Sequence, residues 1–267
     1  MKSYLLLSAF VLAMISISCK TVPVTGRKQL NLVPDFMIRE MAFSQYDSFV
    51  KASAALPVHD ARAQMVQRAG RKIQVAVEKY MHANGMGKEL KNFKWEFNTI
   101  NDKMVNSWCM PGGKVVVYTG ILPIAQTEQG LAVVMGHEIA HAVARHGNER
   151  MSEALLIGLG GLALEEALKE KKQQTQLLFL GLYVVGSTLA LELPNSRMQE
   201  SEADKLGLIF MSMAGYNPEE AIPFWQRMSV NNKGDKLPEF LSTHPSDETR
   251  IKKLSALIPE IKSQYYK

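Results

Sequence analysis

Two histidines separated by three residues are the feature of the sequence that most clearly points to chemistry. They are His137 and His141 in the segment HEIAH, and Glu138 lies between them. On a helix, residues four apart lie on the same face, so both imidazoles can bind one metal ion. Zinc binds imidazole nitrogen at about 2.0–2.1 Å, and a catalytic zinc keeps one position open for water. Glu138 would lie beside that water and act as its general base.

The residues around the motif favour a metal site over a pair of histidines on a solvated helix face. The neighbours on all sides are apolar, and they are Val133, Val134, Ile139, Ala140 and Val143. Buried imidazoles require polar partners, which a metal ion and its carboxylate ligands would provide.

A third ligand must come from another part of the chain, and the segment SRMQESEAD at 196–204 offers carboxylates. Glu200 and Asp204 are one helical turn apart, so one can bind zinc while Asp204 accepts a hydrogen bond from an imidazole N–H. Spacing alone does not choose between Glu200 and Glu202. The alternative is a solvated acidic helix face.

Helices and a small sheet are predicted to position these residues. Thr127 is expected to cap the helix that carries the histidines, which should end at Gly147. Alternating and β-branched runs predict strands at 94–100 and 114–118. Further helices are predicted at 36–55, 59–82 and 196–213, after Asn217 and after Ser246. The apolar region 154–191 is predicted to form two helices or a hairpin, and its uncharged part, 176–191, to be buried core or a substrate lid. The fold class is therefore α+β and mostly helical.

The first residues predict export and lipidation. Residues 1–18 combine Lys2, an apolar run and small residues, which is typical of a secretory signal, and Cys19 follows directly as in bacterial lipoproteins. Residues 19–35 are predicted to be a lipidated tether and 36–267 a single domain. A lipid at Cys19 would hold the protein on a membrane facing the periplasm. The residue after the predicted lipidation site is Lys20 rather than an acidic residue, which favours the outer over the inner membrane.

Composition excludes several classes of protein. The chain has 267 residues, 46% of them hydrophobic, which is incompatible with a wholly disordered protein. With only two cysteines, one of them Cys19, a disulfide framework is excluded. The net charge of +5 comes from scattered basic residues, so no nucleic-acid partner is expected.

HEIAH, RMQESEAD and the segment VNSWCMPGGKVVVYTGIL together resemble the zinc metallopeptidase family that includes the CAAX prenyl proteases, the HtpX-type proteases and periplasmic lipoprotein proteases. The resemblance covers roughly residues 30–260. It implies a zincin fold of the glutamate-ligand type, in which a small sheet lies over the active-site helix and its edge strand binds extended substrate. It also implies that Glu200 is the third ligand.

The same resemblance implies roles for other residues. The substrate-binding edge would include Asn106, Gly112 and Gly113, where a peptide adds as a strand. Arg197 would stabilise an oxyanion or form an ion pair with a carboxylate. His244, in the sequence THPS, would be a regulatory fourth ligand or a donor in the transition state, and the alternative is a loop histidine with ordinary partners.

These features predict a metalloendopeptidase with one Zn²⁺ per chain that hydrolyses unfolded or misassembled envelope proteins. The alternatives are a non-catalytic, zinc-stabilised adaptor that binds such proteins, and a purely structural lipoprotein without stoichiometric zinc. The sequence does not indicate an oligomeric state.

Overall fold

The structure, a computed structural model, describes residues 19–23, 25–188, 193–230, 239–244 and 248–267. The predicted signal segment 1–18 lies outside these residues. The helices in the described ranges are α1 (Asp35–Ala52), α2 (Ala61–Ala83), α3 (Leu122–Ala125), α4 (Glu128–Val143), α5 (His146–Leu168), α6 (Gln173–Ser187), α7 (Leu193–Met213), α8 (Ala221–Val230), α9 (Glu239–Thr243) and α10 (Glu248–Tyr265). The mostly helical α+β prediction is confirmed.

The described strands form two small sheets. β1 (Cys19–Thr21) pairs with β2 (Lys28–Leu30) in an antiparallel hairpin, within the segment predicted as a tether. β3 (Glu96–Ile100), β4 (Ser107–Met110) and β5 (Lys114–Tyr118) form the second sheet in the order β3-β5-β4. The β-branched strand β5 is buried throughout and pairs parallel to β3 and antiparallel to β4.

Most predicted helix boundaries agree with the structure to within a few residues, but one predicted helix end is wrong. Thr127 caps α4 as predicted, accepting a hydrogen bond from Gly130 N at 3.1 Å. The helix ends at Val143 rather than Gly147. Arg145 adopts the left-handed conformation at φ 60°, and Gly147 lies inside the next helix. A non-glycine residue in this conformation is uncommon, so the sequence pointed to the glycine instead.

The chain divides into two compact units. One combines the residues up to Ile38 with Arg145–Gln199, and so contains β1, β2, α5 and α6. The other combines Arg39–Ala144 with Glu200–Lys267. In the second unit α4 packs against both α2 and β4, and its residues from Gly130 to Val143 are all buried. Across the described ranges, every helix lacks either the length or the apolar character that crossing a bilayer requires.

Candidate active site

Helix α4 presents the two histidines from the middle of the second unit's core. Residues from Gly130 to Val143 are all buried in it. His137 and His141 lie one turn apart, and their Nε2 atoms approach to 3.1 Å. Both rings therefore direct a nitrogen at the same point, as predicted for two ligands of one ion.

Helix α7 brings the carboxylates to the histidines through a close contact between two glycines. A Cβ atom on Gly207 would lie 2.9 Å from His137 N, and one on Gly136 would lie 3.0 Å from Gly207 O. Side chains at these positions would force the two helices apart. The glycines therefore allow Glu200 and Asp204, one turn apart on α7, to reach His137.

Four side chains direct ligand atoms at a common centre. His137, His141, Glu200 and His244 each offer one such atom, and these atoms lie within 4.8 Å of one another. Glu200 Oε2 and Oε1 are 3.3 Å from the Nε2 atoms of His137 and His141, respectively. Four tetrahedral ligands at zinc's bond lengths of about 2.0–2.1 Å are about 3.3–3.4 Å apart, so the spacing and the donor types fit a zinc ion.

Asp204 orients one of these ligands. Its Oδ1 lies 3.0 Å from His137 Nδ1, so the Nδ1–H can donate to it and leave Nε2 facing the centre. Burial alone would lower the pKa of His137, but hydrogen bonds to Asp204 and Glu200 raise it to about 9. Burial would raise the pKa of Glu200, yet hydrogen bonds from the three histidines hold it well below its usual range. The two carboxylates therefore favour positive charge at this centre, and a zinc ion would replace the second proton of His137, because a histidine ligand is neutral.

Arg250, on α10, is a residue that the sequence reasoning missed. Its guanidinium donates to both oxygens of Asp204, at 2.9 Å and 2.6 Å, and its central carbon lies 3.5 Å from the centre of the Trp225 ring. The residue is only 6% exposed. A detectable signal existed, because Arg250 occupies the same helical stripe as the buried apolar residues Leu254 and Ile258. An arginine in such a stripe implies a buried partner.

His244 connects the ligand group to the predicted general base. Its Nδ1 lies 2.9 Å from Glu200 Oε1 and 3.2 Å from His137 Nε2, where a fourth ligand would lie. Its other nitrogen, Nε2, is 3.4 Å from Glu138 Oε1. The backbone carbonyl of His244 is 3.5 Å from Arg250 Nη1. The histidine predicted from the THPS sequence is thus adjacent to both parts of the site.

The predicted substrate edge lies on and around β4. This strand is at the edge of its sheet and packs against α4. Asn106 immediately precedes it, and its carbonyl accepts a hydrogen bond from Tyr118 N at 3.1 Å. Gly112 and Gly113 form the turn into β5 with φ of 91° and 86°, which glycine adopts without strain. Their carbonyls accept hydrogen bonds from the backbone N–H groups of residues 94 and 96, and the role of this edge in substrate binding stays a prediction.

The other predicted residues have distinct placements. Arg197 is exposed and lies in the first compact unit, and its catalytic role stays a prediction. Glu202, the alternative third ligand, is 5% exposed but is not a member of the four-residue ligand group. Cys109 lies on β4, and burial together with the negative charge of Glu138 raises the pKa of its thiol. Cys19 starts β1.

Helix-borne HEXXH histidines, a glutamate from a second helix and a small sheet define a zincin-like metallopeptidase of the glutamate-ligand type. Residues 67–258 match the model of peptidase family M48, and the chain belongs to that family. The family uses zinc, which the residues of the site fit. The resemblance to the CAAX and HtpX type is confirmed, since they belong to the same family.

Several characterised proteins are similar to this chain. It is 34% identical over 242 residues to the mitochondrial metalloendopeptidase OMA1 of Schizosaccharomyces pombe, covering 90% of this chain and 66% of that protein. It is 37% identical over 186 residues to OMA1 of Saccharomyces cerevisiae, covering 66% of this chain and 50% of that protein. It is 26% identical over 164 residues to the beta-barrel assembly-enhancing protease of Yersinia pestis, covering 59% and 33%. The chain thus spans between a third and two thirds of the length of these relatives.

Proposed function

We propose that this protein is a zinc-dependent metalloendopeptidase of the bacterial envelope that cleaves unfolded or misassembled proteins. The observation that carries the catalytic part is the convergence of the ligand atoms of His137, His141 and Glu200 beside the carboxylate of Glu138. A zinc ion held by these three residues would polarise the peptide carbonyl and lower the pKa of a bound water.

The proposed chemistry of the chain centres on Glu138. It follows the ligand His137 directly and is only 4% exposed, so its carboxylate lies inside the site rather than on the protein surface. Glu138 takes the proton from the attacking water and delivers it to the nitrogen of the departing strand. Asp204 holds the His137 ring in the required tautomer, and Arg250 holds Asp204. A covalent intermediate with the protein is not needed.

His244 is proposed to keep this site closed until substrate arrives. Its Nδ1 takes the position of a fourth ligand beside Glu200, and its Nε2 lies against Glu138. A catalytic zinc site requires an open position, so His244 has to withdraw before a peptide can bind. The segment that carries it includes α9, whose Phe240 N donates to Val105 O at 3.1 Å, just before the substrate edge. An incoming strand at β4 would therefore disturb the anchor of this segment.

The proposed substrate class follows from the edge strand and the compartment. Backbone pairing with β4 selects extended chains rather than particular side chains, which suits unfolded protein. The lipoprotein-like residues 1–19 support export, lipidation at Cys19 and a place on the periplasmic face of the outer membrane. The relative from Yersinia pestis, named for β-barrel assembly, supports substrates among outer-membrane proteins.

The variant Glu138→Gln separates this proposal from the non-catalytic adaptor. Removing the base while keeping the shape should leave zinc content at one ion per chain and lower cleavage of an unfolded substrate by about 10²–10⁴-fold. The measurement is zinc by mass spectrometry beside cleavage of a quenched fluorescent peptide. Glu202→Gln is the matched control and should cleave normally. Wild-type protein that binds zinc and unfolded chains without cleaving them would support the adaptor instead.

A further inference from the structure

The helical pair formed by α5 and α6 exposes a large amount of apolar surface. Eleven of the nineteen large hydrophobic side chains that are exposed in the described residues lie between residues 151 and 187. Leu159, Leu162 and Leu177 are between 62% and 64% exposed, and Val184 is 60% exposed. Helix α6 has no buried residue at all. An apolar surface of this extent usually marks an interaction site.

The two helices contact each other where Tyr183 of α6 packs against Gly160 of α5, while most of the large apolar side chains of the pair are exposed. A Cβ on Gly160 would lie 2.2 Å from the Tyr183 hydroxyl, and that hydroxyl donates to Ile157 O at 2.9 Å. In water, a helical hairpin is expected to bury its leucines between the helices. A glycine that lets a neighbouring helix approach closely, with leucines on the outside, is common in helices that pack within lipid.

The exposed side chains surround the helices rather than forming one face. Leu177, Leu178 and Phe179 are consecutive and are 64%, 59% and 47% exposed. Successive helical residues point about 100° apart, so these three residues face in three directions. One flat protein partner would cover one of these directions. A surrounding apolar medium would cover all of them.

The first turns of α5 form hydrogen bonds with the segment that follows the predicted lipidation site. Arg27 donates to both oxygens of Glu149 at 2.6 Å and 2.8 Å. Leu32 N donates to Ser152 Oγ at 2.9 Å, and Asn148 Nδ2 donates to Val33 O at 2.8 Å. The residues after the predicted lipidation site and the helical pair therefore belong to one compact unit. A lipid at Cys19 would bring this unit to a membrane surface.

We propose that α5 and α6 form a membrane-embedded hairpin, whose apolar side chains insert among the acyl chains of one lipid leaflet. The uncharged helix α6 is 15 residues and therefore about 22 Å long, shorter than the roughly 30 Å of a hydrocarbon core. The last turn of α5 and the segment that connects it to α6 together carry three acidic residues (Glu165, Glu166, Glu170) and three lysines (Lys169, Lys171, Lys172), and these charges would stay at the water interface. Because they balance, apolar burial rather than charge drives the contact.

Tryptophan fluorescence in the intact lipidated protein tests this hairpin directly. Leu182→Trp places a probe on α6, where the native residue is 59% exposed, and Val75→Trp places a control on α2, where it is 63% exposed. In vesicles of phosphatidylethanolamine and phosphatidylglycerol with brominated acyl chains, the Leu182→Trp signal should be quenched well beyond the three native tryptophans. The Val75→Trp signal should not. Equal quenching of the two probes would overturn the proposal.

A binding measurement without the lipid separates the hairpin from the anchor. In chains that carry Cys19→Ser and lack the signal, Leu177→Gln with Leu182→Gln should weaken vesicle binding at least about ten-fold, since two apolar side chains would no longer be buried in lipid. Val58→Gln with Val75→Gln is the control and should bind normally. Binding should persist in about 1 M salt, where charge attraction is screened within ~3 Å.

Two other outcomes would contradict the proposal. Concentration-dependent association of the Cys19→Ser chain, lost with the two leucine substitutions, would assign the surface to a second copy. A Leu182→Trp signal that responds to unfolded protein but not to brominated lipid would make it a substrate surface. Neither outcome bears on the peptidase site, because hairpin variants should cleave a short soluble peptide at the normal rate.

Discussion

Arg250 and Asp204 form a two-point ion pair beside the candidate metal ligands, with Nε at 2.9 Å from Oδ2 and Nη2 at 2.6 Å from Oδ1. The Arg250 guanidinium also stacks on Trp225. Burial would raise the pKa of Asp204, but the Arg250 charge and the hydrogen bond from His137 hold it below its usual range. Asp204 therefore stays anionic and accepts a hydrogen bond from the Nδ1–H of His137. Helix α10 thus orients a ligand on α4 through a carboxylate on α7.

Replacing Arg250 should weaken zinc binding without removing a ligand. Loss of a partner that orients a metal ligand typically costs 10–100-fold in metal affinity, and Arg250→Gln should fall in that range. Arg250→Lys should recover only part of the wild-type zinc affinity, since an ammonium cannot make the two-point contact. Competition with a fluorescent chelator measures the affinity. Arg62→Gln, which loses an exposed pair with Asp60, is the control. Normal zinc affinity in Arg250→Gln would show that Asp204 is held by other means.

The close approach of α4 and α7 predicts a marked effect of a single methyl group. A Cβ at Gly207 would lie 2.9 Å from His137 N, so Gly207→Ala should push the helices apart, lower the free energy of unfolding by about 1–3 kcal/mol and weaken zinc binding. Gly181→Ala is the matched control, because nothing lies within 4 Å of its added Cβ. It should be neutral or stabilising by up to about 1 kcal/mol. Urea unfolding measures both, and equal stability of the two variants would contradict the close contact.

The sequence predicted the catalytic helix and its two histidines because these follow short, local rules of spacing and capping. It did not identify Arg250, which acts through contacts with residues distant in the chain. The end of α4 was misplaced because Arg145, not glycine, takes the left-handed conformation. The choice of Glu200 over Glu202 came from the family resemblance, because both lie within one helical turn. Spacing along a helix cannot show which carboxylate faces a second helix.

The proposed closing role of His244 predicts that its removal activates the enzyme. If His244 Nδ1 occupies the position of a fourth zinc ligand, His244→Ala should raise cleavage of a short peptide several-fold. It should also lower zinc affinity, since one ligand is lost. If His244 is instead a hydrogen-bond donor in the transition state, His244→Ala should be nearly inactive. Peptide cleavage at saturating zinc distinguishes these results. His59 lies on the exposed surface, so the control His59→Ala should leave both peptide cleavage and zinc affinity unchanged.

The peptidase site requires that one zinc ion joins α4 to α7 through His137, His141 and Glu200. A comparison of the zinc affinities of Glu200→Gln and Glu202→Gln tests this arrangement, because the two residues lie on the same helix and both substitutions keep the side-chain shape. We expect one zinc per chain in the wild type and in Glu202→Gln, and at least about ten-fold weaker binding in Glu200→Gln. Loss of zinc from Glu202→Gln with retention by Glu200→Gln would contradict it.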